Sequence, residues 1–244
     1  MTFKEWLKTA TKKCGSLLSE NSVNHYLSGF ETVSREMFDS KVISKKLEEM
    51  ELYELDLAIA IILKNEMFIT KDKKGKRMYS NSLKRYRCYK YLNSDRGIQE
   101  EVEEASVIND TTITATEKET IIKARRGQGA YREKILAKYN GTCIMTKVSV
   151  TQVLIASHIK PWAVCNNFEK IDVDNGLLLS ATYDRLFDSG LISFDLRGKL
   201  KVSSLISKDN AEKLRIKSGL IYDIKYNENM MKYIEYHNNY IFVD

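Results

Sequence analysis

Proline, histidine and cysteine are all scarce in this 244-residue chain, which has 1 proline, 3 histidines and 4 cysteines. One proline beside 11 glycines excludes a collagenous or low-complexity chain. The cysteines, Cys14, Cys88, Cys143 and Cys165, form no CxxC pair. No charged-then-apolar leader opens the sequence, so a secreted disulfide scaffold is not expected and a reducing cytoplasm is. The longest apolar run, Leu57 to Leu63, falls far short of the ~20 residues a membrane span requires.

The composition that remains is that of a soluble globular protein: 43% hydrophobic, 30% charged and 10% aromatic. At about 150 residues per domain it allows one large domain or two small ones. The net charge of +6 permits an anionic partner without demanding one.

Charge divides the chain into three parts. Residues 1–95 carry 18 basic and 13 acidic side chains, 96–122 carry 2 and 7, and 123–244 carry 19 and 13. The middle part, with Glu100, Glu101, Glu103, Glu104 and a threonine-rich stretch, shows little periodicity before Ile121 and reads as an acidic linker. The first part reads as a mainly α-helical domain. From Ser22 as N-cap, Val23, Tyr26, Leu27, Phe30, Val33 and Met37 fall on one helix face. A second helix is expected over Leu52 to Lys64 and a third, basic and aromatic, over Ser80 to Leu92. The last part mixes periods: a strand over Gln152 to Ser157, a hairpin around Arg197-Gly198 and a closing helix from Met230 to Ile241.

Chemistry that uses histidine as a base must draw on His25, His158 or His237. His25 and His237 lie inside helical patterns, where packing or surface roles are the ordinary use. His158 stands instead at the end of an apolar strand, in Ser157-His158-Ile159-Lys160-Pro161-Trp162, where proline forces the chain to turn. Asp174-Asn175-Gly176-Leu177-Leu178-Leu179 follows, and then Tyr183-Asp184-Arg185-Leu186-Phe187-Asp188.

With Arg125-Arg126-Gly127-Gln128-Gly129 upstream and Tyr236-His237-Asn238-Asn239 downstream, this text resembles the HNH endonucleases over residues 123–244. The resemblance implies an α+β chain: an N-terminal helical domain (1–95), a linker (96–122) and a C-terminal ββα-metal nuclease domain (123–244). It implies His158 as general base, Asn175 as the residue that fixes the motif by hydrogen bonds, and Asp184 as a hard oxygen ligand for Mg²⁺ or Mn²⁺. Asp188, four residues on and so on the same helix face, completes the metal shell or caps the following turn.

Two positions depart from the commoner family pattern. The Asp184 position is more often His, and the residue before the base, often a metal-binding Asp, is Ser157. Many such domains hold a structural zinc with four cysteines; three of those positions here read Thr146, Ser180 and Tyr183, so no structural zinc is expected and Cys143 is read as a small packed apolar residue.

Double-stranded DNA is the implied partner. Arg125, Arg126, Lys160 and Arg185 are candidate phosphate contacts around the motif, with Arg132 weighed as an internal salt bridge. Lys84, Arg85 and Arg87 are further candidates in the stretch Lys71 to Lys90, which holds nine basic residues against Asp72 alone and reads equally as a solvated loop. The expected activity is metal-dependent DNA cleavage in a restriction or defence setting, by a homodimer if both strands are cut. A monomeric nicking or homing-type nuclease, and a DNA-binding protein with a decayed metal site, stay open as alternatives.

Overall fold

The computed structural model describes residues 1–12, 16–126 and 129–244, the side chains of residues 96–99 excepted. Cys14, Gly127 and Gln128 lie outside the described residues. Helix α2 (Glu20–Asp39) begins three residues earlier than the expected cap: Ser19, not Ser22, is extended and its hydroxyl accepts the Ser22 N–H. It packs on α5 (Met78–Asn93), with α1 (Phe3–Thr9) and α3 (Leu52–Ile62) closing the bundle and α4 (Glu66–Lys74) beside α5. Rings form the centre of this core: Phe30 stacks on Tyr86 at 3.8 Å and Phe3 meets the same ring edge-on at 5.0 Å.

The segment expected as an acidic linker is helical. It forms α6 (Arg96–Ile108) and most of α7 (Ala115–Arg125). Thr114 and Glu117 make a reciprocal capping box that starts α7. Val107, Ile121 and Ala124 are buried in the same apolar cluster as Ile135, Leu178 and Phe187. The acidic side chains are neutralised across the helix pair: Glu103 binds Arg125, and Glu104 binds Arg126 at 2.5 Å. One inward position of α6 is Glu103 itself, 8% exposed. The apolar period is therefore broken where the helix is buried, which hides it from a hydropathy reading.

Beyond α8 (Gly129–Lys138), β1 (Leu154–His158) pairs antiparallel with β2 (Gly176–Ser180), and α9 (Ala181–Asp188) follows β2 without a loop. This is the expected ββα unit. The register sets His158 opposite Gly176. A Cβ at Gly176 would meet Ile135 and sit 2.7 Å from the Tyr131 hydroxyl, so only glycine lets α8 pack onto the strand pair here. The hairpin of β3 (Ile192–Phe194) and β4 (Leu200–Val202) forms as expected, followed by α10 (Lys208–Lys213).

The closing helix α11 (Glu228–Tyr236) widens into a π-helical turn over His237–Ile241. Val243 is then buried in the N-terminal core, and its N–H bonds the carbonyl of Gly190. Gly190 has φ +78, and any side chain there would run into the Ile241 carbonyl.

Candidate active site

A cavity of about 760 Å³ opens between the two cores, walled by α3, α5 and α6 on one side and by β1 and α9 on the other. His158, Asp184 and Asp188 line it together. Three residues placed by sequence at a strand end, a first helical turn and a last helical turn thus converge on one space.

His158 is held on three sides. Tyr131 stacks on the imidazole at 4.6 Å with an interplanar angle of 11°, Trp162 meets it edge-on at 5.3 Å, and Nε2 lies 2.9 Å from the Lys170 carbonyl. A carbonyl only accepts, so Nε2 carries the proton and Nδ1 keeps a lone pair for a substrate proton. Burial pushes the pKa down to about 4; the hydrogen bond to Lys170 opposes this and the charge of Arg125 adds to it. At neutral pH the ring is uncharged and able to accept a proton.

Asn175 is fully buried and bonds the loop on both sides of that ring. Its Oδ1 accepts the Lys160 N–H at 2.9 Å, and its Nδ2 donates to the Glu169 carbonyl at 3.0 Å and to Cys165 Sγ at 3.3 Å. Its own carbonyl accepts the Ile159 N–H. Residues 159 and 160 follow the base, and Glu169 precedes the residue whose carbonyl fixes its tautomer. An uncharged side chain with both a donor and an acceptor is what this junction requires.

Asp184 is 1% exposed in the first turn of α9, and Asp188 ends the helix. Ser157, beside the base, lines the same cavity, and its buried Oγ has no hydrogen-bond partner. Two carboxylates and an unsatisfied hydroxyl form an oxygen donor set of the kind hard divalent cations take, Mg²⁺ keeping several waters of its own. The donor set fits such an ion, although among the described residues no cluster of three His, Cys, Asp or Glu side chains is gathered for a metal.

Residues 143–195 match the family model of HNH endonucleases. The ββα unit and its histidine belong to an HNH nuclease domain. No curated protein matches the chain.

Around the HNH domain, the basic residues singled out as phosphate contacts are largely engaged within the protein. Arg125 binds Glu103, Arg126 binds Glu104, and Lys160 binds Glu169 at 2.6 Å. Arg185 donates to the carbonyls of Tyr91 and Leu92 and lies over the Tyr91 ring. Arg132 is internal too, but through the carbonyls of Leu154 and Thr151 rather than a salt bridge.

Arg85 and Arg87 are 2% and 4% exposed, which takes them out of any phosphate-facing set. Arg85 lies over the Tyr26 ring at 4.3 Å, and Arg87 makes a two-pronged pair with Asp56 at 2.6 and 3.0 Å. Lys84 donates to the Asn238 carbonyl, and burial lowers its pKa to about 8. Within the same stretch, Lys73, Lys74, Lys76 and Arg77 stand exposed at the turn from α4 into α5.

Cys143 is buried, and its sulfur accepts the N–H groups of Thr146 and Ser180. Burial would raise the thiol pKa; the hydrogen bonds outweigh it and lower the value. Sequence reading missed Tyr131, Glu169 and Lys170, which fix the base through a ring face and backbone groups, and a backbone carbonyl carries no residue-type signal.

Proposed function

We propose that the protein is a metal-dependent DNA endonuclease that hydrolyses phosphodiester bonds with His158 as general base. The observation that carries this reading is the orientation of His158: Nε2–H is given to the Lys170 carbonyl, the ring is neutral at physiological pH, and it shares one cavity with Asp184 and Asp188. Nδ1 takes the proton of the attacking water as the bond from phosphorus to the leaving 3′ oxygen breaks. Asn175 keeps the strand end and the 165–170 loop locked together, so the base stays aimed at the attacking water. Asp184 and Asp188, with Ser157, would hold Mg²⁺ or Mn²⁺. When bound, such an ion neutralises charge that develops on the phosphate and on the departing oxygen.

The pairing of an HNH domain with a helical N-terminal half supports a restriction or defence nuclease acting on double-stranded DNA in a reducing cytoplasm. The described cysteines, Cys88, Cys143 and Cys165, are free and buried, in keeping with that compartment. No helix of the described residues is long and apolar enough to cross a membrane. One HNH site cuts one strand, so a double-strand break calls for a homodimer.

The test is incubation of supercoiled plasmid with the protein in Mg²⁺, Mn²⁺ or EDTA, beside His158→Ala. Cleavage that needs both the ion and His158 is expected, with a loss of ~10² or more on substitution. Cleavage by His158→Ala within a few-fold of wild type would overturn the assignment.

A further inference from the structure

The helix that carries both cavity carboxylates is short, and its last turn is held from outside the HNH domain. Tyr91, on α5 and 97 residues away in sequence, places its hydroxyl 3.1 Å from Oδ2 of Asp188. Arg87, one turn earlier on α5, donates from Nη1 to the Asp188 carbonyl at 2.8 Å while its other face is clamped by Asp56 of α3. Arg185 returns the contact, donating to the Tyr91 carbonyl at 3.2 Å with its guanidinium 4.5 Å above the Tyr91 ring.

We infer that Tyr91 is a positioning residue of the nuclease site: its hydroxyl, carried on the N-terminal helices, fixes the Asp188 carboxylate for the metal ion. This rests on the reading of Asp184 and Asp188 as metal ligands. A carboxylate at the last residue of an eight-residue helix can turn about its side-chain torsions, and a donor bonded to one of its oxygens restricts that turning. A phenol is a rigid donor with two side-chain torsions, and Tyr91 is itself 6% exposed and clasped by two arginines, so it imposes one orientation on Oδ2. Groups that orient a ligand carry much of a site's affinity: removing such a partner typically weakens metal binding ~10–100-fold.

Packing alone would be served by phenylalanine. The hydroxyl is the part aimed at Asp188, and the Arg87–Asp56 pair behind it fixes the backbone end of the same residue. The N-terminal half is thereby part of the catalytic cavity's construction, whatever else it contacts.

The test is calorimetric titration of the full-length protein with MnCl₂, without DNA, for wild type, Asp184→Asn, Asp188→Asn and Tyr91→Phe. Tyr91→Phe is expected to weaken Mn²⁺ binding ~10–100-fold while its melting temperature in EDTA stays within a degree or so of wild type, since ring and cation contacts remain. Mn²⁺ affinity of Tyr91→Phe within twofold of wild type would overturn the inference and leave the nuclease reading intact. Asp188→Asn supplies an arm that does not touch Tyr91: it must lose at least about tenfold, and wild-type affinity there overturns the inference on its own. Wild type that takes up no Mn²⁺, or binds it no better than Asp184→Asn, would bring down the metal-nuclease reading and this inference with it.

Discussion

The Nε2–H of His158 points at the carbonyl of Lys170, 2.9 Å away and 12 residues on in sequence. That bond chooses the tautomer, and the tautomer decides which nitrogen does chemistry. The partner is a backbone atom in an irregular loop, so its identity rests on Asn175 holding that loop rather than on the side chain of Lys170.

The first prediction is a pH–rate profile with a low acid limb. A general base works only when unprotonated, so activity falls as pH drops through its pKa. For an ordinary histidine that limb lies near 6.5. With His158 held at about 4 by burial, initial rates at fixed metal should stay level from pH 8 to about 5 and fall only below it. A limb centred at 6.5 would show that the ring is not the buried base described.

Asn175 makes a second, sharper test, because alanine and aspartate fail for different reasons. Asn175→Ala removes the partners of the Lys160 N–H and the Glu169 carbonyl in a dry interior, at about 1–3 kcal/mol for each group left unpaired. Asn175→Asp keeps the acceptor but turns an oxygen toward the Glu169 carbonyl and buries a charge, so it should destabilise at least as much. Both should lose activity ~10²-fold as the loop releases His158. Urea melts beside single-turnover rates check this; a variant that loses activity at wild-type stability would mean Asn175 meets the substrate itself.

How far the sequence reveals this molecule follows the range of each interaction. Periodicity locates α2, α3, α5 and β1, since one buried face along a local element is a local signal. The ββα motif is legible for a different reason: its local text resembles that of the HNH endonucleases. The segment 96–122 reads wrongly as a linker because Glu103 fills a buried position of α6, although Thr114 and Glu117 already spell a capping box. Arg87 reads wrongly as a phosphate contact because its partner, Asp56, lies 31 residues upstream on another helix. A positive residue on a helix looks the same in sequence whether it faces DNA or a buried carboxylate.

A third prediction concerns DNA grip. With Arg85 and Arg87 buried and the arginines near the motif engaged, the exposed Lys73, Lys74, Lys76 and Arg77 are the cations at the α4–α5 turn left to neutralise phosphate. Removing one phosphate-neutralising cation reduces the salt dependence of log K by roughly 0.9. Replacing Lys73, Lys74 and Lys76 with alanine in a His158→Ala background should therefore flatten the slope by up to about 2.7, read by fluorescence anisotropy at several salt concentrations. An unchanged slope would assign that turn to solvent.

The last prediction comes from His237, whose sequence context suggests only a packed helix residue. It is 1% exposed, stacks on Phe187 at 3.9 Å, accepts at Nδ1 from the Ser193 hydroxyl and donates from Nε2 to the Phe187 carbonyl. Burial pushes its pKa down to about 3, with Arg87, Lys201 and Lys84 adding repulsion. Between the unfolded value near 6.5 and the folded value, the unfolded chain binds the extra proton. The stability due to His237 is thus complete above about 6.5 and is lost as pH falls toward 3, at up to about 1.4 kcal/mol per pH unit. His158 acts the same way down to about 4, so the two slopes add between 6.5 and 4. His237→Gln should be less stable than wild type at pH 7.5, having lost the ring stack, yet lose only about half as much stability on going to pH 5. Urea midpoints at pH 7.5, 6 and 5 decide it, and parallel curves for the two proteins would show that the ring does not titrate as its surroundings dictate.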